Sequence, residues 1–398
     1  MRGLKHWFPH DVNLAQWQLI GILGAAEFAR TALVVVLLPA FATGPLGLSL
    51  TVVGLMISAH YAMDTLFRSP AGWLVDRVGP KPVLLGGIVV EVLSIFGAMH
   101  AHAATTLFLF MGLLGVGTAT HWPSVVTGTN RLTHAEQRGT MMGAVFAGWI
   151  AGSGIGPVVV NFTIGNFGGD EVAFVLLIAA ELVALALAVL VRDHRLVQSA
   201  ARGERHPSLL SGLKVIWPLR SVLPGMFVQT MVLGLLLPLL QPLTHHVLHL
   251  DQVQYAVLLL GSGALTVLLL IPMGRVADRL GIKGPLIGGF WLAALALLAL
   301  SVVRDFWLLV AVGVTAGLAY ALILPSWNAF LARLIRPAQE GLLWGVFRTV
   351  EGLGMTVGPA VGARLFQLSM YAPFILAAAI LTLMSVFYWL YPLPERRA

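Results

Sequence analysis

The sequence predicts an all-α membrane protein, with twelve transmembrane helices arranged as two six-helix bundles. Three observations carry that expectation: an apolar composition, an internal repeat at constant spacing, and positive charge confined to alternate loops. The chain is 58% hydrophobic and 10% charged over 398 residues, with a mean hydropathy of +0.89. Soluble domains carry roughly 25% charged residues, so a soluble chain of this composition lacks the charge to cover its surface. Spans of about 20 apolar residues are the expected solution. The chain has no cysteine, which excludes disulfides, thiolate metal sites and thiol redox chemistry.

The repeat has an offset of 202 residues and needs no gap. Gly72-Trp-Leu-Val-Asp76-Arg77-Val-Gly79-Pro-Lys81 returns as Gly274-Arg-Val-Ala-Asp278-Arg279-Leu-Gly281-Ile-Lys283. The same shift carries Pro123-Ser124 onto Pro325-Ser326, Arg131 onto Arg333, Gly152 onto Gly354 and Gly156-Pro157 onto Gly358-Pro359. Turn formers and charges matching at one fixed period indicate two copies of one structural unit. In a hydrophobic chain this implies the parallel-repeat architecture of a secondary transporter, with substrate bound between the halves.

Apolar runs place the spans near 17–42, 49–75, 83–101, 105–128, 139–162 and 172–192. The second set lies near 215–245, 252–274, 285–303, 305–330, 341–366 and 371–393. The most polar connection, 193–214, holds Asp193, Arg195, Arg202, Glu204, Arg205 and Lys214 and is expected to link bundles 1–192 and 215–398. Met1 to Asp11 has Arg2, Lys5 and Asp11 but no cleavage site, and reads as an interfacial lead-in to the first span. Of the 24 Lys and Arg, all but Arg30, Arg304, Arg348 and Arg364 fall at one face. Positive flanks stay cytoplasmic, so both termini are expected there, in a multi-pass plasma-membrane protein. The net charge of +7 is explained by that topology and by attraction to anionic membrane lipids, without nucleic acid.

The doubled motif, Gly72-x-x-x-Asp76-Arg77-x-Gly79-x-Lys81 and its copy at Gly274, resembles the signature loop of the major facilitator superfamily. It stands after the second and the eighth span, as that family requires. The resemblance covers nearly the whole chain and implies two six-helix bundles around a cavity open alternately to each side. It also implies that Gly72, Asp76, Arg77, Gly79 and Lys81, with Gly274, Asp278, Arg279, Gly281 and Lys283, act as a conformational latch. In the fifth span, Gly148-x-x-x-Gly152-x-x-x-Gly156-Pro157 is similar to the family's antiporter motif, and Gly354-x-x-x-Gly358-Pro359 repeats it in the eleventh. Small residues at this spacing form a groove for a neighbouring helix, and proline permits a kink. One departure stands out: Gly115-Val-Gly117 in the fourth span lacks the preceding arginine that many members carry, so any coupling site lies elsewhere.

Ionisable groups inside the membrane are costly and mark function by default. Glu27 and Arg30 lie three apart in the first span and Asp64 lies in the second, forming an expected triad of two carboxylates and one guanidinium. Two carboxylates cannot both own one guanidinium, which suits a reversible proton carrier. Trp122 and Trp149 add amphipathic surfaces with indole donors, and His121 adjoins Trp122. Under the repeat, Glu27, Arg30, Asp64 and Trp122 become Gln229, Val232, Thr266 and Leu324, so the C-terminal half is expected to be more apolar. Leu233, Leu236, Leu237, Leu240, Leu324 and Phe330 are the expected apolar wall. Arg348 and Glu351, three apart in the eleventh span, are candidates for gating or substrate binding. Glu91 and Glu181 are expected to serve packing, a lipid interface or oligomerisation. His245 and His249 have metal-ligand spacing, but no metal is expected.

The set Glu27, Arg30, Asp64, Trp122 and Trp149 resembles the headgroup pocket of the superfamily's glycolipid flippase branch, which exchanges the diglucosyl-diacylglycerol anchor of lipoteichoic acid for protons. The resemblance implies coupling and headgroup binding by the charges and stacking of sugar rings on the two tryptophans. No phosphate-binding loop, nucleophile elbow or zinc-hydrolase motif occurs, which argues against ATP-driven transport and against an enzyme. The expected function is a monomeric, proton-coupled antiporter that exports or flips an amphiphile and needs no cofactor beyond the proton gradient. A multidrug exporter is the alternative, and a nontransporting receptor a remote one.

Overall fold

The computed structural model describes residues 13–134, 137–197, 222–334 and 340–390, all helix and connecting turn. The chain divides into two compact units, Met1–Glu204 and Arg205–Ala398. The division falls within the segment 193–214; of that segment residues 198–214, like the lead-in Met1 to Asp11, lie outside the described residues.

The first unit holds α1 (Leu14–Thr43), α2 (Leu50–Val78), α3 (Pro80–Met99), α4 (Ala104–Leu132), α5 (Arg138–Asn166) and α6 (Gly169–Leu190). Local chemistry sets the starts. Asn13 caps α1 by accepting from the Ala15 amide, and Gln16 closes a capping box onto the Asn13 amide. The Gln16 amide then donates to Thr133 Oγ1 at 2.8 Å and to the Leu132 carbonyl at 3.2 Å, fastening the start of α1 to the end of α4. Two helices are less regular than their apolar runs suggest. α1 widens into a π-turn at Leu33–Leu37, just beyond Arg30, and such bulges recur at functional sites. α4 is interrupted at Ala119–Thr120 and resumes at His121.

The second unit holds α7 (Leu223–Leu236), α8 (Gln252–Leu280), α9 (Lys283–Val302), α10 (Phe306–Leu334), α11 (Glu340–Leu368) and α12 (Ala372–Leu390). The run expected at 215–245 resolves into a shorter α7, a turn, and a π-segment Leu243–Val247. Among the described residues ten helices are long and apolar enough to cross a membrane. The packing repeats as the sequence does. α1 lies on α5, α2 on α4, and α3 on α4 and α6; correspondingly α7 lies on α11, α8 on α10, and α9 on α10 and α12.

Glycines make the closest of these contacts. A side chain at Gly148, Gly152 or Gly156 would strike Ile20 or the backbone of Gly24 and Phe28 on α1. At Gly354, Gly358 and Gly362 it would strike α7 at Phe227, Met231 and Leu235. The small-residue stripe is therefore the seam that lets α5 and α11 approach their partners backbone to backbone. Pro157 and Pro359 lie inside these two helices. Large apolar side chains elsewhere stay exposed, Leu109, Leu268, Trp307 and Leu383 among them. A lipid-facing surface requires this, since hydrocarbon rather than water is the solvent.

The turn after α2 carries the signature motif. Gly79 has φ +90° and sits against the backbone of Leu196 and Val197. Lys81 Nζ donates to the carbonyls of Val189 at 3.0 Å and Val191 at 2.7 Å, satisfying the C-terminal end of α6. The Arg77 guanidinium lies 4.0 Å over the Trp73 ring. Gly72 faces Pro123 on α4, and its copy Gly274 faces Pro325 on α10. Gly281 repeats the positive φ, at +84°. The Asp278 side chain lies outside the described residues; Arg279 is exposed.

Candidate functional site

α1 presents Glu27 and Arg30 one turn apart on a face that packs on α5. Arg30 donates to Glu27 Oε2 from Nε at 3.0 Å and from Nη2 at 2.5 Å. Ser153 Oγ on α5 adds a third donor to the same oxygen at 3.2 Å. Glu27 Oε1 is left without a hydrogen bond among the described residues. The second Arg30 amino group donates to the Tyr61 hydroxyl on α2 at 3.3 Å. The pair is nearly buried, with side-chain exposures of 14% and 9%. A buried pair survives only with such extra hydrogen bonds, because Coulomb attraction alone does not repay desolvation.

Asp64 is not the second carboxylate on Arg30. It takes Arg68, one turn further along α2, at 2.5 Å. The i, i+4 spacing within one helix provides this partner locally, whereas reaching Arg30 requires a second helix. The expected triad is thus two pairs, Glu27–Arg30 and Asp64–Arg68, on adjoining helices. Arg68, read from sequence as a positive flank, belongs to the site, as do Tyr61 and Ser153.

The tryptophans belong to an aromatic cluster. Trp122 meets Trp149 with ring centres 6.4 Å apart and near-perpendicular planes, and Phe146 joins at 5.1 Å from Trp122 and 6.5 Å from Trp149. Phe146, Trp149 and Ser153 recur at helical spacing on one face of α5, so the aromatic surface and the Ser153–Glu27 contact share that face. Phe146 carried no sequence signal beyond this spacing.

His121 departs from its expected place. It is buried at 2% exposure, and its Nε2 approaches Glu91 Oε2 on α3 at 2.8 Å. Adjacency to Trp122 in sequence does not make it a pocket residue, because consecutive helical residues point about 100° apart. Glu181 on α6 is fully buried too, so of the packing, lipid-interface and oligomer roles expected for the two glutamates, their place is the one inside the bundle.

In the second unit, Arg348 Nη1 donates to Glu351 Oε2 at 3.0 Å, and the Trp327 indole donates to Glu351 Oε1 at 3.4 Å. Under the repeat these two charges stand where Phe146 and Trp149 stand in the first unit. The C-terminal copy has therefore exchanged aromatic rings for an ion pair and is less apolar than expected. Phe330 is not a wall residue; it is buried in its own bundle against Trp327 and Tyr388. Leu233, Leu236, Leu237, Leu240 and Leu324 are partly exposed. His245 packs its ring edge-on against Tyr255 at 5.5 Å, and among the described residues no group of three His, Asp or Glu side chains is arranged to hold a metal ion.

The model of the Major Facilitator Superfamily matches residues 20–223 and again 222–398. The chain belongs to the major facilitator superfamily. Among curated superfamily members, the proton-coupled antiporter flippase LtaA of Staphylococcus epidermidis is 25% identical over 389 residues, covering 95% of each chain. LtaA of Staphylococcus aureus (strain USA300) is 26% identical over 381 residues, covering 94% of each. The fold also resembles the crystal structure of the nucleoside transporter NupG (TM-score 0.75, 15% identity, 96% of this chain and 100% of that one). A bacterial homologue of the human lysosomal transporter Spinster gives a TM-score of 0.77 at 16% identity, covering 94% of this chain and 96% of that one. These superfamily neighbours are transporters, and the chain is a multi-pass membrane transporter of the same fold.

Proposed function

We propose that this superfamily member is a proton-coupled antiporter that flips a glycolipid across the cell membrane by alternating access, with both termini cytoplasmic. One observation carries the reading. A membrane-embedded carboxylate, Glu27, has one oxygen saturated by Arg30 and Ser153 and the other open, within reach of the α5 face that bears Phe146 and Trp149. Ionised, Glu27 would accept a headgroup hydroxyl at its open oxygen. A proton arriving at that oxygen would remove the acceptor and release the headgroup, so substrate and proton compete for one site. Aromatic rings beside the pair suit the apolar faces of sugars. The near full-length similarity to the proton-coupled antiporter flippase LtaA supports antiport and flipping.

The test is flipping of a fluorescent glycolipid in proteoliposomes under an imposed pH gradient, run beside efflux of cationic dyes. The gradient should accelerate flipping, and Glu27→Gln should abolish that acceleration. Full pH dependence retained in the Glu27→Gln/Asp64→Asn double variant would sink the coupling assignment. Dye efflux without flipping, intact in Trp122→Ala, would make the protein a drug exporter.

A further inference from the structure

Glu91 on α3, His121 on α4 and Glu181 on α6 meet at the junction of three helices and share no hydrogen bond with Glu27 or its partners among the described residues. All three are buried, at 0%, 2% and 0% exposure. His121 approaches Glu91 at 2.8 Å, and the two carboxyl groups lie within hydrogen-bond reach of each other. No protein donor supplies a hydrogen bond to any of the four carboxyl oxygens among the described residues.

That geometry cannot hold its full negative charge. Two ionised carboxylates facing each other with a neutral imidazole would place two charges in a dry interior with no cation in contact, at a cost of several kcal/mol. Carboxyl oxygens approach one another stably when a proton bridges them, and carboxylate and imidazole do so when a proton lies between. Three groups reach neutrality with two protons, one shared along Glu91–His121 and one along Glu91–Glu181. The charged groups near enough to act on the cluster are Glu27 and Arg30 on α1 and Asp64 on α2. The C-terminal copy has Ala293 and Ile323 in place of Glu91 and His121, so packing at this junction does not require the charges.

We propose that Glu91, His121 and Glu181 form a second protonation site, a store of two protons in the N-terminal unit whose occupancy follows the charge state of the Glu27–Arg30 pair. The proposal does not depend on which substrate is carried.

Infrared difference spectroscopy on the purified full chain in nanodiscs reads it directly. Wild type should show protonated-carboxyl carbonyl absorption at neutral pH, and Glu181→Gln and Glu91→Gln should each remove part of it. The pair Glu91→Gln/Glu181→Gln is neutral with a neutral His121, so it should fold and lose the band entirely. Glu27→Gln should shift the pH at which the band disappears. Thermal melting supplies the second readout. Unfolded glutamate is ionised above about pH 4.3, so folding takes up protons and stability falls as pH rises until the store empties. The double variant should flatten that alkaline slope. An unchanged carboxyl band in the double variant, or an unchanged alkaline slope, overturns the proposal. So would a band that ignores Glu27→Gln. Loss of flipping with the band intact would count against the transport reading alone.

Discussion

Glu27 and Arg30 show how much of a buried ion pair is decided by its third and fourth partners. Two donors from one guanidinium and a hydroxyl from a neighbouring helix converge on one oxygen, so removing Arg30 alone would leave Glu27 charged and underpaired. Breaking a buried pair in this way costs about 3–5 kcal/mol. Replacing both by glutamine costs less, and a double-mutant cycle on Glu27 and Arg30 should return a coupling of about 1–3 kcal/mol. Cycles of the same kind separate the pair on α2 from the pair on α1. Asp64 should couple to Arg68 by more than it couples to Arg30; equal couplings would restore the three-membered arrangement. Substrate affinity gives the aromatic counterpart. Trp149→Ala should weaken headgroup binding by about 1 kcal/mol or more, measured by glycolipid titration, while leaving the Glu27–Arg30 coupling unchanged.

Helices in this protein are joined by backbone approach as much as by side-chain packing. The α1–α5 seam has room only for hydrogen at Gly152, whereas one turn-face away Gly154 looks into open space. Gly152→Val should therefore destabilise the protein by about 1–3 kcal/mol, seen as a lower melting temperature in detergent. Gly154→Ala should be neutral or slightly stabilising, since alanine gains up to about 1 kcal/mol over glycine in a helix. The signature turns allow a similar contrast. Both Gly79 and Gly281 hold positive φ, but among the described residues only Gly79 presses on neighbouring backbone. Alanine at Gly281 incurs backbone strain of about 1–2 kcal/mol; alanine at Gly79 incurs that strain and a displaced Leu196–Val197 segment besides. If the two variants melt alike, the contact at Gly79 contributes nothing.

Orientation belongs to the whole molecule, and the cysteine-free chain makes it easy to test. His102→Cys lies in the turn before α4 and His134→Cys in the turn after it, both at exposed positions. With cytoplasmic termini, a membrane-impermeant maleimide should label His102→Cys in intact cells and His134→Cys only after permeabilisation. The reverse pattern would invert the topology and, with it, the direction of flipping inferred from the proton gradient.

Twelve spans, the duplication and the polar turns were legible in the residues themselves because they rest on local chemistry: apolar length, the need for glycine at positive φ, and positive charge held on one side. The candidates Glu27, Arg30, Asp64, Trp122 and Trp149 were also visible, since an ionisable group in an apolar run has no structural reason to be there. Partnership was not visible. Whether Asp64 turns to Arg30 or to Arg68, and whether His121 follows its neighbour Trp122 or faces the other way, depends on each helix's rotation about its own axis. The packing of the bundle sets that rotation. Glu91, His121 and Glu181 lie 30 and 60 residues apart along the chain, and no periodicity links them. Only the packing of α3 on α4 and α6 brings them to one buried point, where the cost of desolvating charge makes them a set.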